Sequence, residues 1–241
     1  MSKGERKGMG RRIADSAGVL LVVLVMAALA GCGGGDDDSG GEAHVNTDSG
    51  STNEAIFDER EGKSPPPSRG ESLKQAAEKA SCFLRQDLKA EGTKSLPPDA
   101  PEPEYETDPP TSGDHVETPY QQADGAYLTM PRAMDYVAAL DHGRVAIHYA
   151  PDLTQEAQEE LKGLYDTMYG GTLLFPDDEM NYAVAATAWT NFIGCPGFEE
   201  ETFEAVRAFA RETWGKYGSE PVEKFDPSGP TPREPDEPDA G

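Results

Sequence analysis

Apolar residues recur along this chain in two rhythms, and those rhythms sort its middle into elements. Leu73, Ala76, Ala77, Ala80 and Leu84 fall at three- and four-residue spacing, which predicts a helix over 70–84. GRVAIHY (143–149) alternates instead. Val145, Ile147 and Tyr149 face one way and Arg144, Ala146 and His148 the other, the period of a strand. Thr154 then stands at a cap position ahead of Ala157, Leu161, Leu164 and Met168, and Gly170-Gly171 ends that helix. TLLF (172–175) reads as a short buried strand, and AVAATAW (183–189) as another. Glu199–Glu201 suit the positive end of a last helix, which carries Phe203, Val206, Ala210, Trp214 and Tyr217 on one face. The order helix, long loop, strand, helix, strand, strand, helix predicts an α+β fold, a single small domain with helices packed on a small sheet.

Composition changes at both ends of that domain. Residues 32–69, beginning CGGGDDDSGGEAHVNTDSG, are rich in Gly, Ser, Asp and Pro and carry too few apolar side chains for a core. They read as a disordered tether with a reach of about 30–37 Å. Residues 219–241 repeat the Pro/acidic composition and read as a disordered tail. The globular domain is thus expected at 70–218, long enough for one hydrophobic core.

The first 31 residues are of a different kind. Lys3, Arg6, Lys7, Arg11 and Arg12 precede an apolar run, Gly18–Ala30, that is too short to span a bilayer as a mature helix. A basic head, a short apolar core and a small-residue exit make an export signal. The exit, Leu29-Ala30-Gly31-Cys32, resembles the bacterial lipobox. That resemblance implies a diacylglycerol on the Cys32 thiol and cleavage before Cys32, hence a lipid anchor on the extracytoplasmic side of a membrane in the cell envelope. The formal net charge of −24 argues against nucleic acid as a partner, because phosphate backbones repel such a surface.

With Cys32 assigned to the lipid, Cys82 and Cys195 remain. An oxidising compartment favours a disulfide between them, worth roughly 4–5 kcal/mol in the chain-entropy model. On an unbroken first helix, however, Cys82 would lie about 180° from Leu73. Either the helix ends near Ser81 or the bridge wraps its outer side. A redox pair or a metal-ligand pair are the alternatives, and neither has CxxC spacing.

Several blocks in order, AAEKASC (76–82), YETDPPTSGDH (105–115), DGAY (124–127), LDHGRVAIHY (140–149) and AATAWTNFIGC (185–195), resemble the domain of unknown function 3105 family. The resemblance implies a bacterial exported or membrane-anchored protein and specifies no reaction. This chain departs from the family's pattern at two places, carrying Asp114 where PPTSGPH is usual and Asp141 where LEHG is usual. A shorter carboxylate at 141 weakens any role that needs reach.

Candidate chemistry centres on two histidines. Two prolines stiffen PPTSGDH and Gly113 turns it, so His115 is expected to be held in one place and aimed at His142, at the entrance of the strand. His115, His142 and Asp114 could supply three ligands to zinc or copper, with Met130 and Met134 nearby as soft neighbours. Ordinary histidine–carboxylate or histidine–backbone hydrogen bonds require the same residues. His148, about 20 Å further along an extended strand, is too far to join His142. No G-x-S-x-G elbow, Walker loop, HExxH or Rossmann fingerprint is present. The sequence therefore favours a lipid-anchored binding or interaction module, metal-loaded through the two histidines or not. The alternative is an exported enzyme of unrecognised class using His115 and His142.

Overall fold

Ser72 opens the first helix with a capping box, its hydroxyl accepting from the Gln75 N–H while the Gln75 side chain turns back to the Ser72 backbone. In this computed structural model, which describes residues 55–118, 120–168 and 170–218, that helix is α1 (Leu73–Lys79). It is shorter than its apolar stripe suggests. Ser81 takes a left-handed conformation (φ 55°), and the chain turns into β1 (Phe83–Arg85). The helix therefore ends before Cys82, and the disulfide Cys82–Cys195 forms without wrapping round it.

Among the described residues, eight strands and four helices follow one another as α1, β1, β2 (Ser95–Leu96), β3 (His115–Val116), β4 (Gly125–Ala126), α2 (Ala133–Asp141), β5 (Val145–Tyr149), α3 (Gln155–Thr167), β6 (Thr172–Pro176), β7 (Val184–Ala188), β8 (Asn191–Cys195) and α4 (Glu200–Thr213). Six strands make one mixed sheet in the order β1-β8-β7-β5-β6-β4, and β2 and β3 form a small parallel pair apart from it. β5 runs parallel to β6 and antiparallel to β7, so the central strand is hydrogen-bonded on both sides. The fold is α+β, as the rhythm of the sequence predicts.

The alternation in β5 separates two cores. Val145, Ile147 and Tyr149 join Leu161 and Leu164 of α3, Phe203, Val206 and Phe209 of α4, and Leu73 and Ala76 of α1. Ala146 belongs to the opposite face with Leu173, Phe175, Tyr127 and the α2 residues Tyr136, Val137 and Leu140. Trp214 stays with the first core, but Tyr217 crosses to the second, because the helix has ended and Gly215 (φ 67°) turns the chain.

Besides the shortened α1 and the short strands β1 to β4, three departures from the sequence expectation matter here. The long loop contains α2, in which Met134 through Asp141 are all buried; a helix apolar on every side has no stripe to reveal it. β8 was hidden because NFIGC is buried along its whole length and follows a two-residue turn, Trp189-Thr190, with no glycine. Thr190 is left-handed there (φ 57°), a strained conformation for a β-branched residue, and its N–H donates to Thr111 O at 3.0 Å.

The third departure corrects the tether boundary. Residues 55–69, placed in the tether by composition, lie against the domain as a strap. Ala55 and Asp58 are buried, Phe57 bridges Tyr127, and the Asp58 N–H donates to Ala126 O at 2.8 Å. Further along, the Lys63 N–H donates to Glu159 O, and a Cβ at Gly163 would meet Lys63 O at 1.6 Å, so the strap's backbone rests directly on α3. Buried Glu204 of α4 ends the strap by accepting from the N–H groups of Arg69 and Glu71, both at 2.9 Å. Few apolar residues are needed because backbone and carboxylate hydrogen bonds hold the segment. The leader (1–31), Cys32, tether residues up to 54 and the tail (219–241) lie outside the described residues. Among the described residues no helix is long and apolar enough to cross a membrane.

Candidate functional site

The PPTSGDH turn is knotted into the fold by its own polar groups. Thr111 and Ser112 are buried; the Thr111 N–H donates to Thr107 Oγ1 (3.1 Å) and Ser112 Oγ accepts from the Glu91 N–H (3.1 Å). Gly113 (φ 147°) is required twice over, since a Cβ there would also meet the Tyr105 ring at 2.5 Å. Tyr105 then donates its hydroxyl to Asp114 O at 2.9 Å. These bonds tie the turn down at several points and set where His115 goes.

That place is not His142. Buried His115 has Nδ1 2.8 Å from Gly113 O, and Nε2 3.6 Å from Asp141 Oδ2, with its ring edge-on to Trp189. Asp141 is thus the residue that receives the turn, although its short side chain stops beyond ordinary hydrogen-bond length. His142 caps the C-terminus of α2 rather than opening a strand, and its ring is held by Thr118 Oγ1 (3.4 Å) and Gln121 Oε1. Asp114 Oδ1 accepts from the Lys94 N–H at 3.0 Å. The three proposed metal ligands thus engage three separate sets of partners. Among the described residues no group of three or more His, Cys, Asp or Glu side chains is placed to hold a metal ion.

The histidine set aside by spacing turns out to have the more consequential surroundings. His148 is fully buried on β5, with Nδ1 2.9 Å from Asp177 Oδ2 and Nε2 3.0 Å from Thr187 Oγ1. Phe175 and Tyr136 meet its ring edge to face. Asp177, just past β6, also accepts on Oδ1 from the N–H groups of Glu179 (3.1 Å) and Met180 (3.3 Å). Burial pushes the Asp177 carboxyl up, but the His148 hydrogen bond and those N–H groups outweigh it, and the net shift is downward. A hydroxyl, an imidazole and a carboxylate in line resemble a nucleophilic triad, yet Thr187 is inside the sheet and completely buried. The carboxylate end, not the hydroxyl, approaches the surface, although Asp177 is itself buried.

It meets a cleft of about 530 Å³ between the 102–110 loop and the start of α2. Four carboxylates line it: Glu102, Asp108, Asp177 and Glu179. Tyr105, Met130 and the prolines 103, 110 and 131 supply apolar wall. Arg132, the cationic lining residue, is already committed, with Nη2 2.6 Å and Nε 3.0 Å from the Asp135 carboxylate and Nη1 donating to Pro98 O at 3.0 Å. Glu102 accepts from the Met134 N–H (2.8 Å) in the first turn of α2. Asp108 and Glu179 have no side-chain hydrogen bond or ion pair among the described residues. Asp108 is exposed as a residue, but partial desolvation of its carboxyl and the charge of Asp177 raise it from its ordinary value. Neither His115 nor His142 lines this cleft, and of the two methionines only Met130 does.

Residues 100–226 match the family described as protein of unknown function (DUF3105), more than half of the chain. The chain belongs to that family. The DUF3105 match begins after AAEKASC, so Cys82 and the strap precede it, while every cleft-lining residue from Glu102 to Glu179 falls inside. No curated protein and no solved structure matches the chain. Spacing along the strand separates His148 from His142, and no motif marks Asp177. The available signal was Asp177–Asp178–Glu179 just after a buried strand, β6, which pairs with the strand that carries His148.

Proposed function

We propose that this is a lipid-anchored extracytoplasmic binding module whose ligand site is the cleft between the 102–110 loop and α2. The observation that carries the reading is a concavity of ligand size with a few polar groups left over, the general form of a small-molecule or side-chain pocket. Binding is favoured over catalysis because the imidazole nearest the cleft and the hydroxyl behind it are occupied. His148 spends both ring nitrogens inside the protein, and Thr187 is sealed behind it. The leader and the Leu29-Ala30-Gly31-Cys32 sequence support attachment through Cys32 to the outer side of a bacterial membrane.

Two experiments test the two halves. Cys32→Ala should abolish incorporation of labelled fatty acid; label retained by that variant would remove the anchor. A fragment screen by NMR on the full chain in detergent micelles should concentrate shift changes on residues 102–110, 130–133 and 177–179. Hits clustering round His115 and His142 instead would contradict the cleft assignment.

A further inference from the structure

Residues 55–69 hold to the domain by a few separable fastenings. Apolar contact is confined to one end, where Ala55 is buried and the Phe57 ring stacks on Tyr127 at 4.9 Å. There the Asp58 N–H donates to Ala126 O (2.8 Å) and the Leu128 N–H to Ile56 O (2.7 Å), along the outer side of β4. From Glu59 to Arg69 no residue is buried. Asp58 is buried, but its charge is matched by Arg60 within the strap itself, Nη2 to Oδ2 at 2.7 Å. That pair travels with the segment and strands no charge in the domain if the strap leaves. In the middle, the Lys63 N–H donates to Glu159 O at 2.9 Å, and Lys63 Nζ lies 3.3 and 3.1 Å from the Glu156 and Glu159 carboxylates. Ion pairs this near the surface add little.

The far end depends on one carboxylate. Glu204, buried on α4, accepts from the N–H groups of Arg69 and Glu71, both at 2.9 Å, and from Ser68 Oγ at 3.4 Å. The charged groups round it are Arg207 on its own helix, Arg69 of the strap, which also reaches Glu200 and Glu201, and Glu71, which is paired with Lys79 of α1 and whose carbonyl accepts from Arg211. Protonating Glu204 removes the charge that strengthens both amide bonds. Between those two amides the chain passes through Gly70 (φ 64°), where even an added Cβ would meet open space, so the strap ends at a hinge. A segment with few buried contacts and its bonds at the margins belongs to the low-stability end of a fold.

We infer that residues 55–69 form a detachable latch, hinged at Gly70, which leaves and rejoins the domain as a unit while the sheet and its four helices stay folded, with Glu204 as its acid-sensitive catch. Release uncovers the outer side of β4, where Ala126 O and the Leu128 N–H lose their strap partners. It also adds residues 55–69 to the span between Cys32 and the first helix, up to about 50 Å of extended chain. That gain in reach rests on the lipid anchor proposed above; the release itself does not. The direction with pH follows from the catch. Burial raises the Glu204 carboxyl, the Arg69 and Glu71 amides outweigh it, and the net shift is downward. The latch is therefore fully held above the ordinary glutamate value of about 4.3 and is lost as pH falls through the lower folded value.

The test is hydrogen–deuterium exchange of the full chain in detergent micelles, with each amide's protection taken against its intrinsic rate at the same pH. The probes are the bonded N–H groups of Asp58, Lys63 and Arg69, and the amides of β5 and β7 are the reference. At about pH 7 the strap amides should be protected, yet open at least about a hundredfold more often than the reference. Between about pH 7 and about pH 3.5 their protection should fall at least about threefold relative to the reference. Glu204→Gln should speed strap opening about tenfold at neutral pH and remove that pH dependence. Gly163→Ala opens the strap by another route, because its Cβ would meet Lys63 O at 1.6 Å. Alanine is the better helix former, so α3 and the reference should keep their protection while the strap loses it. Strap and reference exchanging at one common rate in the wild type and both variants would overturn the inference, making the strap part of the cooperative core. Strap amides with no protection at about pH 7, or opening indifferent to Glu204→Gln, would overturn it too. None of these readouts involves the cleft or Cys32, so they stand or fall apart from the function proposed above.

Discussion

His115 and His148 are both buried, both touch a carboxylate and both lie edge-on to aromatic rings, yet their neighbourhoods do opposite things. Around His115 the polar groups close on one another: Gly113 O, Asp141, and a turn whose hydroxyls and amides are consumed locally. Around His148 the network runs outward. Thr187 holds one ring nitrogen, Asp177 the other, and beyond Asp177 stands a cleft with carboxylates left over. The difference teaches where to look for function in such a fold. The conspicuous motif, with its partners satisfied, serves as architecture, whereas the His148 network reaches a cavity lined by further carboxylates.

The largest effect that could break this comparison is at His148. Replacing it with alanine strands the buried Asp177 carboxylate and opens space against Phe175 and Tyr136. We expect a loss of about 3–5 kcal/mol in denaturant unfolding. A loss below about 1 kcal/mol, the size of an average substitution, would mean that the network does not hold the cleft floor.

Acid should expose the same network. The folded Asp177 carboxyl is depressed, so its contribution is present above the unfolded value of about 3.9 and is lost as pH falls through the lower folded value. Glu204, the strap anchor, is shifted in the same direction: burial raises it, and the Arg69 and Glu71 amides more than offset this. Unfolding free energy measured against pH should therefore drop steeply below about pH 4, and less steeply in Asp177→Asn. Identical slopes would contradict the assignment of that loss to Asp177.

His115→Ala should cost less than His148→Ala, about 1–3 kcal/mol, because it leaves one backbone carbonyl and a half-reached Asp141 behind. Lengthening the reach with Asp141→Glu sharpens this point and should recover stability if the 3.6 Å gap is the weakness. The smallest effect belongs to His142→Ala, expected within about 0.5 kcal/mol because its side-chain partners lie near the surface. A zinc- or copper-dependent gain in melting temperature, lost in both His115→Ala and His142→Ala, would reinstate the metal reading against the geometry seen here.

Sequence rhythm sufficed wherever one side of an element is wet. α3 and α4 have polar outer faces, and their stripes, caps and ends stand where Thr154, Gly170 and Glu199–Glu201 mark them. β5 was legible because its two faces enter different cores. α2 and β8 were not, since burial on all sides erases the period that would distinguish them. The strap escaped for the reverse reason, being polar in composition and held by amide and carboxylate bonds. The site was least legible of all. Asp108, Tyr136, His148 and Asp177 are far apart in sequence and meet only because β5 and β6 pair in parallel beneath α2.

Met130 and Met134, four residues apart, report on the two regions separately and make the most direct test. Met130 lines the cleft, while Met134 is buried in a small cluster with Val116, next to His115 on β3. With the methionine methyls labelled with carbon-13 in the full chain, a fragment selected by the screen for the cleft should shift the Met130 signal along a saturating curve and leave Met134 in place. Movement of Met134 with Met130 unchanged would put the ligand on the His115 side and contradict the account.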